Sequence, residues 1–522
     1  MALANETLAA IRYGYGLRPG ETAPRDAAGL LAQLEAGRTA KLRFPREGVA
    51  GRRETATRII SLRAAESKAT KEGKPNEAIR RQTQREAQRI YRQDAMARLA
   101  QAVYSPLGFH ERLATFWTDH FSTSAMKSLP MRMVVPLYEA EAVRPNMAGT
   151  FARLLKAAIL HPAMLIYLDQ DQSIGPDSVA AQKSGRGLNE NLGRELLELH
   201  TLGAGSGYTQ ADVRAAALIL TGLSVDNRAL QVVYKPRFAE GGAITLLGQD
   251  YDGDEGEGQD HMLMLEDLAA HPKTAGHICR KLVSHFVDDT PPEELVTPML
   301  EAWTRTGGNL TDVYRAMLEH PRAWSDPGRK IKQPFDFVAS GLRAFGLPET
   351  SLTDLSRDMD QADVDDGAVD KAMKMASDMA GAVAGQVTGQ GAGQMEGDAA
   401  LTGAPAIGGE TVANEAKRRG GRANSLTLGA LQRMRQPIWQ PPSPAGFADQ
   451  ASVWLSPSQL TERISWSRNM AKAYGQTIEP LPLLDAALAD AAGPETRKII
   501  GQAPNKLHGI TMVLASPEFN RR

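Results

Sequence analysis

Gly187-Leu-Asn-Glu-Asn-Leu-Gly-Arg-Glu-Leu-Leu-Glu-Leu-His-Thr-Leu-Gly203 is the stretch whose reading decides the fold class. On a helix turning ~100° per residue, Leu188, Leu192, Leu196, Leu199 and Leu202 share one face. That spacing predicts an amphipathic helix packed on a core. The same periodicity predicts helices over Leu107–Phe121 and Phe151–Leu160 upstream. Downstream, Thr209-Gln-Ala-Asp212 has the form of a capping box and starts a helix toward Leu223. Met262–Ala270, Thr274–Val287, Glu293–Arg305 and Leu310–Glu319 repeat the pattern. His161-Pro162, His271-Pro272, His320-Pro321, Ser105-Pro106 and Ser516-Pro517 punctuate these segments. Proline suits the first helical position, and the residue before it can cap, so the three histidines are expected as caps. The expectation is a mainly α protein, a large multi-helix bundle of helical hairpins. Leu230–Tyr234 and Ala243–Leu247, flanking Glu240-Gly-Gly242, predict one minor β-hairpin near 230–247.

Composition agrees and excludes several classes. The 522 residues are 42% hydrophobic but only 6% aromatic, and Ala and Leu are abundant, which favours helix. Lys+Arg 60 against Asp+Glu 61 leaves a net charge of −1, so no specific nucleic-acid partner is expected. A single cysteine, Cys279, rules out a disulfide framework and Cys-rich metal sites, and is expected as a buried thiol. No apolar run approaches the ~18–20 residues of a membrane span. The first residues, Met1 to Arg12, show neither a basic start nor a continuous apolar stretch, so a cytoplasmic location is expected unless a partner carries the chain out.

Residues 1–348 read as a helical core domain and residues 425–522 as a C-terminal helical segment completing it. Between them, 349–424 is a Gly/Ala-rich, low-complexity insertion, most biased over 381–421, that holds too few large apolar residues to offset its ordering entropy and is expected disordered. Within the core, 51–100 is a basic helical hairpin split at Pro75. Arg52 to Arg98 carries 13 Lys/Arg against 6 Asp/Glu. It reads either as a patch for an anionic polymer or phospholipid, or as a solvated hairpin laced with ion pairs.

The candidate chemistry lies in the opening stretch. Glu195 falls within the leucine face, with Asn191 and Glu198 beside it and His200 ~140° away. A carboxylate facing leucines is costly unless paired, protonated or bound to a cation. One reading makes Glu195 and Glu198 a general acid/base or oxygen-ligand metal site; the other makes Glu195 a buried ion pair and Arg194–Glu198 a surface pair. In Phe116-Trp-Thr-Asp-His-Phe121, Leu113, Trp117 and His120 align inward. His120 is either a hydrogen-bonded core histidine or a partner meeting the Glu195 stripe. Lys281 and His285 sit one turn apart, with the basic residue available as counter-ion to Glu195. The acidic loop Gln249–Asp260 resembles half of a calcium loop, but Glu255 stands where glycine is required and His261 where glutamate is. Zincin, di-iron, P-loop, Rossmann and serine-elbow patterns do not occur.

Ile11-Arg-Tyr-Gly-Tyr-Gly-Leu17, Phe116–Phe121, His161-Pro-Ala-Met-Leu165, Leu188–Gly203, Gly207–Val213, Leu220-Thr-Gly222, His271–Ala275, Lys332-Gln-Pro-Phe335 and Ser516-Pro-Glu-Phe519 together resemble the bacterial domain-of-unknown-function-1800 (DUF1800) family. The resemblance implies an α-helical protein, often exported and often encoded beside sulfatase-like DUF1501 proteins. The chain departs from that pattern in lacking an evident export signal and in its biased insertion. Two functions follow as expectations. The first is a hydrolase or lyase, with Glu195 as acid/base, Glu198 and His120 as its partners or as ligands of a divalent metal, and Asn191, His200, Trp117 and Arg194 binding substrate. The second is a non-catalytic partner or export companion of a DUF1501 protein.

Overall fold

The computed structural model describes residues 3–184, 187–252, 259–325, 328, 330–362 and 407–522. It is mainly α, with two small two-stranded antiparallel sheets. The chain divides into two compact units, Met1–Leu347 with Leu431–Arg522, and Pro348–Ala430. Among the described residues, no helix is long and apolar enough to cross a membrane.

Two helices form the middle of the larger unit. Pro334–Ala344 is buried at every position, and Gly108–His120 buries Phe109, Leu113, Phe116 and Trp117 on one side and His110, Glu111 and Arg112 on others. A helix enclosed on all faces must pair its charges. Arg112 Nη1 lies 2.6 Å from Asp336 Oδ2, joining the two helices, and Arg144 Nη2 donates to Glu111 Oε2 at 2.7 Å.

Helix boundaries follow the caps read from sequence. His161, His271 and His320 each accept a backbone N–H with Nδ1, from Ala163, Lys273 and Arg322 at 3.1–3.2 Å, and each precedes a proline at the first helical position. Thr209 and Asp212 form the expected reciprocal capping box before Gln210–Ile219. Ser105 differs. It closes the Glu77–Tyr104 helix, and its Oγ accepts from Leu107 N at 3.2 Å ahead of the next helix.

The opening stretch departs from the projection used to read it. The α-helix spans only Asn191–Glu195 and passes into a π-turn, Leu196–His200. The wider turn shifts the phase, so Leu196, Leu197 and His200 all point inward while Leu199 and Glu195 are half-buried. Glu195 therefore does not face a leucine core.

The single hairpin near 230–247 is also corrected. Its strands exist, but each pairs with an outer neighbour. β1 (Leu223–Asp226) pairs with β2 (Gln231–Tyr234), and β3 (Ile244–Leu246) pairs with β4 (Gln249–Tyr251). Leu247 and Gly248 both have positive φ, 52° and 82°, which is the two-residue turn geometry that matches strand twist. That turn closes β3 onto β4 and leaves β2 to β1.

The basic segment is a helical hairpin, Gly48–Lys71 and Glu77–Tyr104, with Asn76 capping the second arm. Much of its charge is paired: Arg52 with the buried Asp94, Arg53 with Glu141, Arg58 with Glu86 and Arg63 with Glu66. In the smaller unit, residues 349–362 and Ile407–Leu426 are helical, so the helix extends into both ends of the stretch read as an insertion. The rest of that stretch, 363–406, and residues 253–258 of the acidic loop lie outside the described residues.

Candidate active site

The residues singled out from sequence fall into two separate groups. Glu195 and Glu198 lie half-buried on the outer side of the π-turn. Burial, then the Glu198 charge, pushes the Glu195 carboxyl above its ordinary value. Tyr208 Oη donates to Glu198 Oε2 at 3.3 Å. Arg194 pairs backwards with Glu190 at 3.2 Å rather than with Glu198, and Asn191 is exposed at the helix start. Trp117 has no exposed surface, and its indole N–H donates to Tyr314 Oη at 2.7 Å.

His120 does not meet the glutamates. It clasps His200. His200 Nδ1 donates to the His120 carbonyl at 3.0 Å, and His120 Nε2 donates to the His200 carbonyl at 3.3 Å. His277 Nε2 donates to the Leu199 carbonyl at 3.1 Å, tying the Pro272–Phe286 helix to the same π-turn. Burial and the nearby Lys281 ammonium keep these rings neutral, with His200 pulled down to about 3 and His277 to about 4. Lys281, expected as counter-ion to Glu195, instead senses Asp119 and Asp449. Among the described residues, no three or more His, Cys, Asp or Glu side chains group so as to hold a metal ion. The expected ligand set of His120, Glu195 and Glu198 is not assembled, because the histidine faces the core and the glutamates face outward.

The site with the strongest chemistry is a small cleft of about 70 Å³ beside the end of the Gly108–His120 helix. Asp119, His285 and Gln333 meet there with Phe335, Trp439 and Phe447. Asp119 occupies the last turn of its helix, where the macrodipole opposes a negative charge. Burial, reinforced by the Asp449 charge, pushes its carboxyl up to about 7. One bond supports the charged form: Phe447 N donates to Asp119 Oδ1 at 2.8 Å. Gly446 makes that approach possible. Its φ is +80°, and a Cβ there would lie 2.6 Å from the Asp119 carbonyl and 2.7 Å from Oδ1.

His285 Nδ1 donates to Asp449 Oδ1 at 2.8 Å, and Gln333 Nε2 donates to the same oxygen at 3.1 Å. Gln436 Nε2 in turn donates to Gln333 Oε1 at 2.7 Å, which fixes that amide's orientation. Burial and the Arg522 and Arg112 charges pull His285 down to about 4 despite its carboxylate partner, while His285 and Lys330 hold Asp449 well below the usual carboxylate range. The Nε2 of His285 faces Arg112 Nη2 at 3.4 Å, so both ring nitrogens are engaged, and the group of the cleft near its own midpoint at neutral pH is the Asp119 carboxyl.

Sequence reasoning passed over Asp119, Asp449 and Gln333. Asp119 carried a local signal, an acid in the last turn of an apolar helix. Gln333 and Phe335 stood in the Lys332–Phe335 motif, and Asp119 in the Phe116–Phe121 motif, so two stretches that carried the resemblance meet in this cleft. Their convergence with Asp449 is tertiary and leaves no trace in spacing.

The family model described as a protein of unknown function, DUF1800, matches residues 9–521, and the chain belongs to that family. Neither a curated protein nor a solved structure matches it.

Proposed function

We propose that this DUF1800 protein is an acid–base enzyme, a hydrolase or lyase, in which Asp119 donates and accepts the proton. The observation that carries the reading is a carboxyl on the wall of a cleft, held by one backbone N–H and buried enough to titrate near neutrality. A group so poised can give a proton to a leaving group or take one from a nucleophile or an acidic carbon. Asp449 raises the Asp119 carboxyl through its charge, and His285 and Gln333 hold Asp449 in place. His285, with Nδ1 donating to Asp449 and Nε2 facing Arg112 Nη2 at 3.4 Å, is a positioning residue for that carboxylate.

The test is a panel of esters, amides, glycosides and β-eliminable substrates, with Asp119→Asn and Glu195→Gln beside the wild type. Activity should fall about 10²–10⁴-fold in Asp119→Asn, the usual share of general acid–base catalysis. An activity untouched by Asp119→Asn overturns the assignment. The second carboxyl site, Glu195 with Glu198, is favoured by the raised Glu195 carboxyl and would be identified by loss in Glu195→Gln alone. No turnover of any class by the folded protein would favour the non-catalytic companion of a sulfatase-like DUF1501 protein, read by co-purification of the pair.

A further inference from the structure

We propose that the joint between the short Ala451–Trp454 helix and the long Pro457–Tyr474 helix is a docking surface for an anionic phospholipid bilayer. This surface is independent of the chemistry of the cleft. Three features of the joint point to it.

The first is exposed apolar surface. Val453, Leu455, Leu460 and Ile464 are each 40–47% exposed. Single exposed aliphatics are ordinary, but these four crowd into one short stretch of chain. Leu455 precedes the capping Ser456 and Leu460 stands one turn past it, the two positions that a helix start brings together. Ile464 follows Leu460 by one further turn on the same side. The inner side of the joint is already filled. Trp454 is buried and donates its indole N–H to the Ala448 carbonyl at 2.8 Å, and the buried Gln459 donates from Nε2 to the Met434 carbonyl at 2.8 Å. The aliphatics are therefore held outward.

The second is charge. No residue from Gln450 to Thr461 carries any. Glu462, next in the chain, is paired with Arg433 at 3.0 Å. Arg468 and Lys472 then follow Ile464 at steps of one turn. Both are exposed, and among the described residues neither side chain has a hydrogen-bond or ion-pair partner. Steps of four residues turn the helix by only ~40° beyond a full circle, so Leu460, Ile464, Arg468 and Lys472 keep to one side. The buried Arg463, Trp466 and Met470 take the other.

The third is spacing. Along the helix axis Arg468 lies ~6 Å and Lys472 ~12 Å beyond Ile464. Apolar side chains of a surface-bound helix enter ~5–10 Å into the boundary between headgroups and acyl chains. With the Ser456 end lowest, the aliphatics reach that boundary and both cations stand level with the lipid phosphates, which attract them. A second copy of the chain suits this side less well. Two such sides facing each other would bring four cations together with no free acid between them.

The test is co-sedimentation of the full chain with vesicles of phosphatidylcholine holding about one third phosphatidylglycerol, against phosphatidylcholine alone. Binding should need the anionic lipid and weaken with added salt. Leu460→Ser and Ile464→Ser should each weaken it about tenfold. Arg468→Ala should weaken it about fivefold, and Arg468→Lys should restore it. All three side chains are exposed, so urea midpoints should not move. Arg89→Ala, on the exposed side of the basic hairpin, should leave binding unchanged. Cys279 is fully buried, so a polarity-sensitive dye attached through Ile464→Cys reports on this joint, and its emission should shift to the blue with anionic vesicles. Absence of binding to anionic vesicles overturns the proposal. So does binding that survives Leu460→Ser and Ile464→Ser, or that Arg89→Ala abolishes. A dimer in solution that Ile464→Ser dissociates, without vesicle binding, would assign the surface to a second copy instead.

Discussion

Asp119 carries an energetic cost that a site can use. Its folded carboxyl titrates at about 7, above its ordinary value of 3.8. The folded state therefore holds a proton that the unfolded chain releases, and from pH 3.8 to 7 stability falls as pH rises. Asp119→Asn removes the titration. The stability of the variant relative to wild type should grow by about 2 kcal/mol between pH 5.5 and 7, at about 1.4 kcal/mol per pH unit, and stay level above. Urea unfolding at those pH values measures it; a constant difference between the proteins would contradict the placement of Asp119. Gly446→Ala probes the same carboxyl from the other side. The added methyl has no room against Asp119 and the backbone is left-handed there, so a loss of about 1–3 kcal/mol is expected. Pushing Phe447 N–H away also removes a bond to the charged form, so Asp119 should titrate higher still, as read by carbon NMR of labelled aspartate.

Single elements show where local chemistry suffices. His161 Nδ1 caps the Pro162–Tyr167 helix, while its Nε2 donates to Glu141 Oε1 at 3.4 Å. His161→Ala should cost about 1–2 kcal/mol, the usual value of a lost cap, and His161→Asn should recover most of it because its amide oxygen can accept from the same N–H. Chemical denaturation of the three proteins distinguishes a cap from a packing role, in which Asn would not rescue. Such caps were legible because a capping side chain, its proline and the amide it serves are neighbours in sequence. The inward faces of the Gly108–His120 and Leu310–Glu319 helices were legible for the same reason. The π-turn at Leu196–His200 was not. Inserting a wider turn is decided by what the surrounding helices require, here His200 reaching the His120 carbonyl. Glu195, which the periodicity places on the leucine face, is half-buried beside that turn. Strand pairing escaped in a similar way, since Leu247-Gly248 is a short turn whose left-handed leucine has no propensity to announce it.

Across the whole molecule, charges go where pattern reading does not put them. Arg12, Arg52, Arg112, Arg463 and Arg522 are among the largest fully buried side chains, each assigned to solvent by any hydropathy rule. Arg522 Nη2 donates to the His285 carbonyl at 2.9 Å, and its Nη1 pairs with Asp336, so the packing around the cleft depends on residues far apart in the chain. The histidines follow from this crowding. Burial, with cations nearby, lowers His120, His161, His200, His261, His271, His277 and His285 below 6.5. For each, the unfolded chain binds a proton that the folded chain refuses. Their contribution is fully present above pH 6.5 and is lost as pH falls toward the folded values, about 4 for His277 and His285 and about 3 for His200. These three alone represent on the order of 10 kcal/mol, comparable with the roughly 5–15 kcal/mol that holds a folded protein together. Asp119 acts in the opposite direction over 3.8–7, as do the carboxyls of Asp94, Asp171, Glu195 and Glu240, which burial also raises, but the seven histidines outnumber them. The urea midpoint should therefore fall steeply from pH 6.5 to 4.5, and unfolding at pH 5.5 should take up protons. Calorimetry in buffers of different ionisation enthalpy counts them directly. Proton release on unfolding, or a midpoint that holds down to pH 4.5, would mean that the rings clustered behind the cleft are charged in the folded protein. The neutral clasp that joins His120 to His200 would then be lost as an explanation for the packing that holds Asp119 in place.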